Sequence, residues 1–153
     1  MPLIRKIQSR DVQSLTDTFP EQASDYFDNL YIEHLQETHT LFVASDKDDD
    51  GNRLYYGYVC LSWESGYTQF WRRNIPEITD LFVHKNHRQQ GLARQLISAC
   101  EDIVRSKNYT MVGIRVTQST DSEWLKSLYE RLGYSDEGFN ARDEQVCLVK
   151  KLV

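Results

Sequence analysis

The sequence predicts an α/β domain on a mixed, mostly antiparallel sheet with flanking helices. Three observations carry that prediction. Apolar runs of strand length alternate with amphipathic stretches of helical period. Two strand-like runs bracket the turn "DKDDDGN" as the arms of a hairpin would. Finally, "IPEITDLFVH", "GLARQLISACEDIVRSK" and "YTMVGIRV" follow one another as strand, helix and strand. From Ile78 to Val116 they read as a β-α-β unit, expected to have a right-handed crossover and parallel strands.

Length and composition fit this class. The 153 residues have the size of one domain, spanning 1–153, long enough to bury a core. A chain 40% hydrophobic and 27% charged is globular in composition, not disordered. No apolar run approaches the roughly 20 residues that cross a bilayer. The opening "MPLIRKIQSRD" turns charged at once, unlike a secretory leader. The expectation is a cytoplasmic protein with no membrane partner. A formal net charge of −5 argues against nucleic acid as a partner. Cys60, Cys100 and Cys147 are odd in number, far apart and in apolar contexts, as buried thiols would be.

In chain order, "LIRKI" reads as a strand and "SRDVQSLTDTF" as a helix that Ser9 or Asp11 can cap. Pro20 breaks that helix. "EQASDYFDNLYIEHLQ" reads as a second helix with Tyr26, Phe27, Leu30, Tyr31 and His34 near one side. "TLFVAS" and "RLYYGYVCLSWE" are the hairpin arms, and Gly51 suits a positive φ in the turn. "SGYTQFWRRN" is a loop or short helix. Leu92, Leu96, Ala99 and Ile103, flanked by Ala93, Ile97, Cys100 and Val104, give the clearest helical stripe. "SEWLKSLYERLGY" is a helix with Ser122 placed to cap it and Gly133 to end it. A further strand can form near Tyr134, and "QVCLVKKLV" closes the sheet.

One stretch stands apart in charge. "HKNHRQQGLARQL", His84 to Leu96, carries Lys85, Arg88 and Arg94 and no acid, where a strand hands over to a helix. The first amides of a helix lack internal partners, and the helix dipole is positive there, so such a turn receives phosphate readily. Gly91 lets backbone approach an anion and Ala93 keeps the helix start uncrowded. A solvated basic turn is the plainer alternative. The pattern is neither a P-loop nor a dinucleotide fingerprint. His84 and His87 have no further ligand cluster near them in sequence, so no metal is expected.

"ITDLFVHKNHRQQGLARQLISACEDIV" resembles the acetyl-CoA-binding core of the GCN5-related N-acetyltransferase (GNAT) superfamily. The family pattern Gln/Arg-x-x-Gly-x-Gly/Ala reads here as Arg88-Gln-Gln-Gly91-Leu-Ala93. "SLYERLGY" resembles the family's tyrosine-bearing helix, and "LIRKIQSRDVQSL" its opening strand and helix. The resemblance implies a single-domain GNAT-like fold and acetyl-CoA as co-substrate. It implies that the strand Leu81-Phe82-Val83 splays from its parallel neighbour and pairs with the pantetheine arm. The turn Arg88, Gln89, Gln90, Gly91, Leu92, Ala93 and Arg94 would hold the pyrophosphate. Ser122 stands where many members have asparagine, and can donate to the cofactor; Leu125 stands where many have alanine. For catalysis the resemblance implies Tyr129 as general acid to the departing thiolate and a strand carboxylate as base, Glu77 or Asp80. Strict alternation puts these two on opposite faces, but a bulge would break that parity. Tyr26, Tyr31, Trp63, Tyr67, Phe70 and Trp71, interleaved with Asp25, Asp28, Glu33 and Glu64, suit a cationic amine acceptor. The expected activity is N-acetylation of a small primary amine. A protein N-terminus or lysine as acceptor, or a non-catalytic acyl-CoA-binding module, remain alternatives. A homodimer through an edge strand is a further expectation, with "VCLVKKLV" apolar enough to serve.

Overall fold

A computed structural model describes residues 2–88, 91–118, 123–140 and 142–153. The elements are β1 (Leu3–Lys6), α1 (Asp11–Thr18), α2 (Tyr26–Leu35), β2 (His39–Lys47), β3 (Arg53–Ser62), α3 (Thr68–Arg72), β4 (Glu77–Val83), a 3-10 turn (Lys85–His87), α4 (Leu92–Ser106), β5 (Met111–Thr117), α5 (Glu123–Arg131), β6 (Ser135–Asn140) and β7 (Gln145–Lys151). They form one seven-stranded sheet in the order β1-β2-β3-β4-β5-β7-β6. Among the described residues only β4 and β5 pair in parallel; every other neighbouring pair is antiparallel. This is the mixed, mostly antiparallel α/β fold that the sequence predicts, with the β-α-β unit at its centre.

Strand alternation splits the core in two. On one face Leu41, Val43, Tyr58 and Cys60 meet Leu15, Phe19, Phe27 and Leu30 of α1 and α2 and the loop between them. On the other, Phe42, Ala44, Val59 and Leu61 meet the buried stripe of α4. That stripe holds Leu92, Leu96, Ile97, Cys100 and Val104, as the periodicity predicts. It also buries Glu101, which accepts from Tyr134 Oη at 2.7 Å and Lys150 Nζ at 3.2 Å. The pair satisfies a charge that periodicity alone does not explain. All three cysteines are free and buried.

Three details depart from the sequence reading. Neither Ser9 nor Asp11 caps α1; Arg10 stands at the cap, and buried Asp11 is the first helical residue. Its carboxylate accepts from Arg5, from the Gln8 amide at 2.7 Å and from Tyr55, tying the helix start to β1 and β3. The second helix begins at Tyr26, since 20–25 form turns from which Gln22 reaches the Tyr58 hydroxyl at 3.0 Å. And β7 is not an edge: it lies between β5 and β6, so its apolar side chains serve the core and cannot offer an open ladder. Gly133, with φ 100°, ends α5 as expected. No helix among the described residues is long and apolar enough to cross a membrane.

Candidate active site

The site begins with an irregularity in β4. Against β5, β4 pairs only at Glu77↔Gly113 and Ile78↔Ile114, and the two strands then separate. Against β3, Thr79 pairs with Cys60 and Phe82 with Tyr58, so Asp80 and Leu81 face Val59 alone. That two-against-one count is a β-bulge. Asp80 takes the left-handed conformation, φ 52°, which costs a non-glycine residue about 1–3 kcal/mol. Gly57 permits close approach beyond the bulge, since a Cβ there would lie 2.6 Å from the Phe82 carbonyl oxygen. The split opens a cavity of about 370 Å³, bordered by Glu77, Asp80 and Leu81 of β4, Arg115 and Thr117 of β5, and Leu125 of α5. The expected splay of the strand at Leu81 to Val83 is therefore present.

The bulge gives the two candidate carboxylates different surroundings. Glu77 is buried and fully engaged: Arg115 donates Nε to Oε2 at 2.9 Å and Nη2 to Oε1 at 3.3 Å, and Ser65 Oγ donates to Oε1 at 2.6 Å. Among the described residues Asp80 has no cationic partner; its side chain reaches solvent at the split while its carboxyl is partly desolvated by the elements around it. Desolvation at its carboxyl pushes the pKa above the ordinary carboxylate range, with the charge of Glu33 adding to the rise. Hydrogen bonds from Tyr26 and Thr79, and the nearby His39, pull it back in part.

At the far end of β4, Gly91 caps α4 with φ 81°, where a side chain would strain the backbone. Arg88 donates Nε to the Val83 carbonyl at 3.1 Å and lies over the rings of Phe82 and Trp124, at 5.9 and 5.4 Å. A second cavity of about 230 Å³ lies here, lined by Val83, Arg88, Gly91, Ala93, Arg94 and the α5 residues Trp124, Leu128 and Arg131. Leu92 points into the core. Gln89, Gln90 and Ser122 lie outside the described residues.

Tyr129 is wholly buried against Tyr134, ring centroids 5.0 Å apart at 78°. Its hydroxyl has no hydrogen-bond partner among the described residues. Burial, with lesser contributions from Cys100 and Glu101, pushes the phenol well above its ordinary pKa. It is therefore a neutral donor lacking an acceptor, an arrangement that costs about 1–3 kcal/mol.

The profile of the acetyltransferase (GNAT) family matches residues 5–134, most of the chain and all of this site up to the end of α5. The protein is a member of the GNAT acetyltransferase family. Solved structures agree in fold. The acetyltransferase is similar to yncA of Salmonella typhimurium, a candidate acetyltransferase solved with its cofactor acetyl-CoA (16% identity, TM-score 0.77, 100% of this chain and 95% of that one). It is similar to an N-acetyltransferase of Staphylococcus aureus Mu50 (14%, TM-score 0.76, 100% and 99%). A chimera of the Vibrio cholerae spermidine N-acetyltransferase SpeG also matches (19%, TM-score 0.70, 99% and 95%). At such identities the likeness establishes the fold and nothing finer. No curated protein sequence matches the chain.

Within the acetyltransferase, few of the aromatics and acids proposed from sequence converge. Tyr26 and Glu33 of α2 act on Asp80. Phe70 is core, Trp71 is exposed, and Trp63 packs on the α4 face beside Tyr109 and Lys107. Arg73 is held by Glu137 of β6 at 2.5 Å. Sequence reasoning passed over Arg115, although a charge inside the apolar run "MVGIRV" signals a buried ion pair. It also passed over Trp124 and Arg131, reading α5 by its leucines.

Proposed function

We propose that this acetyltransferase moves the acetyl group of acetyl-CoA to the primary amine of a small molecule by direct attack. The observation that carries the reading is the bulged, split β4: one strand presents an unpaired ladder edge and, beside it, a carboxylate with no cationic partner. The free edge at 79–83 suits the amide-bearing pantetheine arm, which would add to it as a strand does. The start of α4, with Gly91 and Arg94, suits the pyrophosphate. Tyr129 lines neither cavity; its buried hydroxyl, without an acceptor among the described residues, is the donor this reading assigns to the departing thiolate.

In the reaction the amine nitrogen attacks the thioester carbonyl carbon. Asp80, directly or through water, takes the proton that the ammonium must lose; the raised pKa suits it to that task. The tetrahedral adduct then collapses: its nitrogen gives its second proton to water, the carbon–sulfur bond breaks, and amide and thiolate form. Tyr129 donates a hydrogen bond to the thiolate. Glu77, already committed to Arg115 and Ser65, fixes the closed end of the split and is not the base. Around Asp80 stand Glu33, Tyr26 and Tyr58, a setting that favours a cationic acceptor.

Thiol release from acetyl-CoA in the presence of an amine panel tests the reading. Turnover with a small amine, lost in Asp80→Asn, supports it. Turnover surviving in that variant removes Asp80 as base. No turnover with any amine, together with no binding of acetyl-CoA, overturns the function.

A further inference from the structure

We propose that the acceptor is an amine that also carries an anionic group, a carboxylate or a phosphate, and that this group seats in a third cavity beyond Asp80, where Lys85 and His84 meet it. Such a subsite rests on acetyl transfer to an amine, as proposed above, and names what stands at the other end of that molecule.

The cavity, about 520 Å³, lies on the α1–α2 face of the sheet, between the end of α1 at Thr18 and Pro20 and the end of β4 at Phe82. That is the size of a small-molecule site. Phe82 joins it to the surroundings of Asp80. The Phe82 ring stacks on Tyr58 at 5.8 Å, and Tyr58 bonds to Tyr26, which donates to Asp80. Phe82 is two residues past Asp80 and His84 four, so they stand at most about 7 and 14 Å from it along the chain. One small molecule spans that distance. Its two ends would meet opposite charge. Beside Asp80 stand Glu33 and the Tyr26 phenol, which suit an ammonium. The cavity instead presents His84, Lys85 and Arg88 against one acid, Glu21. Neither Lys85 nor Arg88 forms an ion pair among the described residues. His84 accepts from the Asn86 amide at Nδ1, 3.3 Å away, which leaves the ring proton on Nε2 and makes that atom a donor. Arg88 is partly committed, with Nε on the Val83 carbonyl at 3.1 Å, and it also borders the cavity at the start of α4. Lys85 and His84 are therefore the cationic and donor groups particular to this cavity. A groove acidic at one end and basic at the other complements a zwitterion and repels the second charge of a diamine.

Acetyl transfer to ω-amino acids of graded length, from 4-aminobutanoate to 8-aminooctanoate, decides the matter against the uncharged amides and the diamines of matching length. Aminoalkyl phosphates in the same series show which anion fits better. At its best length the parent should prefer the acid to the amide by about tenfold in kcat/KM, chiefly through KM, as one charge-assisted hydrogen bond provides. The diamine should be poorest. Lys85→Gln should bring acid and amide within about threefold of each other, Lys85→Glu should reverse their order, and Glu21→Gln should widen the gap. These side chains are exposed, so melts without ligand should match the parent. Equal rates for acid and amide in the parent, or a preference that Lys85→Gln leaves intact, would overturn the subsite while acetyl transfer stands. A Lys85→Gln effect confined to the KM of acetyl-CoA would assign Lys85 to the co-substrate and overturn it likewise. If the parent binds acetyl-CoA but acetylates no amine in the series, transfer to a small amine itself falls, and the subsite with it.

Discussion

β4 carries two carboxylates three residues apart, Glu77 at its closed start and Asp80 at the bulge where the split opens, and the fold treats them in opposite ways. At the closed end the ladder to β5 is intact, and Glu77 is buried against Arg115 and Ser65. At the open end the ladder has stopped, the bulge has turned the backbone to positive φ, and Asp80 stands without a cation. Residue type and sequence position scarcely separate the two. What separates them is one extra residue in the strand. It breaks the alternation that would otherwise set both side chains into a regular sheet, and it does so where β5 departs. On the proposed reading the closed end serves stability and the open end reactivity.

The largest expected effect comes from the open end. Asp80→Asn should lower kcat/KM by at least about 100-fold, as loss of a positioned base does. It should do so without cost to the fold. Because burial raises the Asp80 pKa, the folded protein holds this proton more tightly than the unfolded chain. Stability from that difference is present below the ordinary carboxylate pKa and is lost as pH rises through the raised value. The neutral amide escapes that loss, so melts at pH 4 and pH 8 should show the variant gaining on its parent as pH rises. At the closed end the pattern should invert. Glu77→Gln leaves Arg115, 24% exposed, short of its partner, and should cost about 1–3 kcal/mol. In a domain of this size that is a melting temperature lower by several degrees, at about 2–4 °C per kcal/mol. Turnover at a temperature where it remains folded should fall far less than in Asp80→Asn. Equal losses of turnover in the two variants would erase the distinction between the ends.

Tyr129, buried in the core against Tyr134, sharpens the same contrast. Tyr129→Phe removes a buried hydroxyl that has no acceptor among the described residues, so melting without ligand should hold steady or rise, by up to about 1 kcal/mol. If the hydroxyl serves the departing thiolate, kcat should still drop about tenfold or more. A stable variant with parental kcat would make Tyr129 a core residue only.

The contrast also explains which parts of the molecule were legible in the sequence. The α4 stripe and the β2–β3 hairpin follow from local periodicity and turn chemistry, which neighbouring residues determine. The positive turn at Gly91 was legible because helix starts carry their electrostatics with them. The bulge was not, because it arises from register between β3 and β4, and no residue at 80 announces it: aspartate tolerates positive φ but does not demand it. Arg115 and Glu77 are 38 positions apart, so their pairing waits on the parallel register of β4 and β5. β7 looked like an edge because it ends the chain. The sheet instead inserts it between β5 and β6, an order that local pattern does not encode.

The smallest effect probes the open end most directly. The Tyr26 hydroxyl donates to Asp80 and lowers its pKa, against the burial that raises it. Burial also lifts the phenol itself above its ordinary range, so it remains a neutral donor throughout the working pH. Tyr26→Phe removes that bond and leaves desolvation less opposed, so the Asp80 pKa should rise further. A base works in its deprotonated form, so the acid limb of the kcat/KM profile should move to higher pH. Well above the limb Asp80 is ionised in both proteins, and the rates there should nearly agree. The limb's position is therefore a signature that mere loss of packing would not reproduce. If Tyr26→Phe leaves the limb in place, the group that titrates is not Asp80, and the base must be sought at the closed end of the strand, with Arg115 released from Glu77 when the acceptor binds.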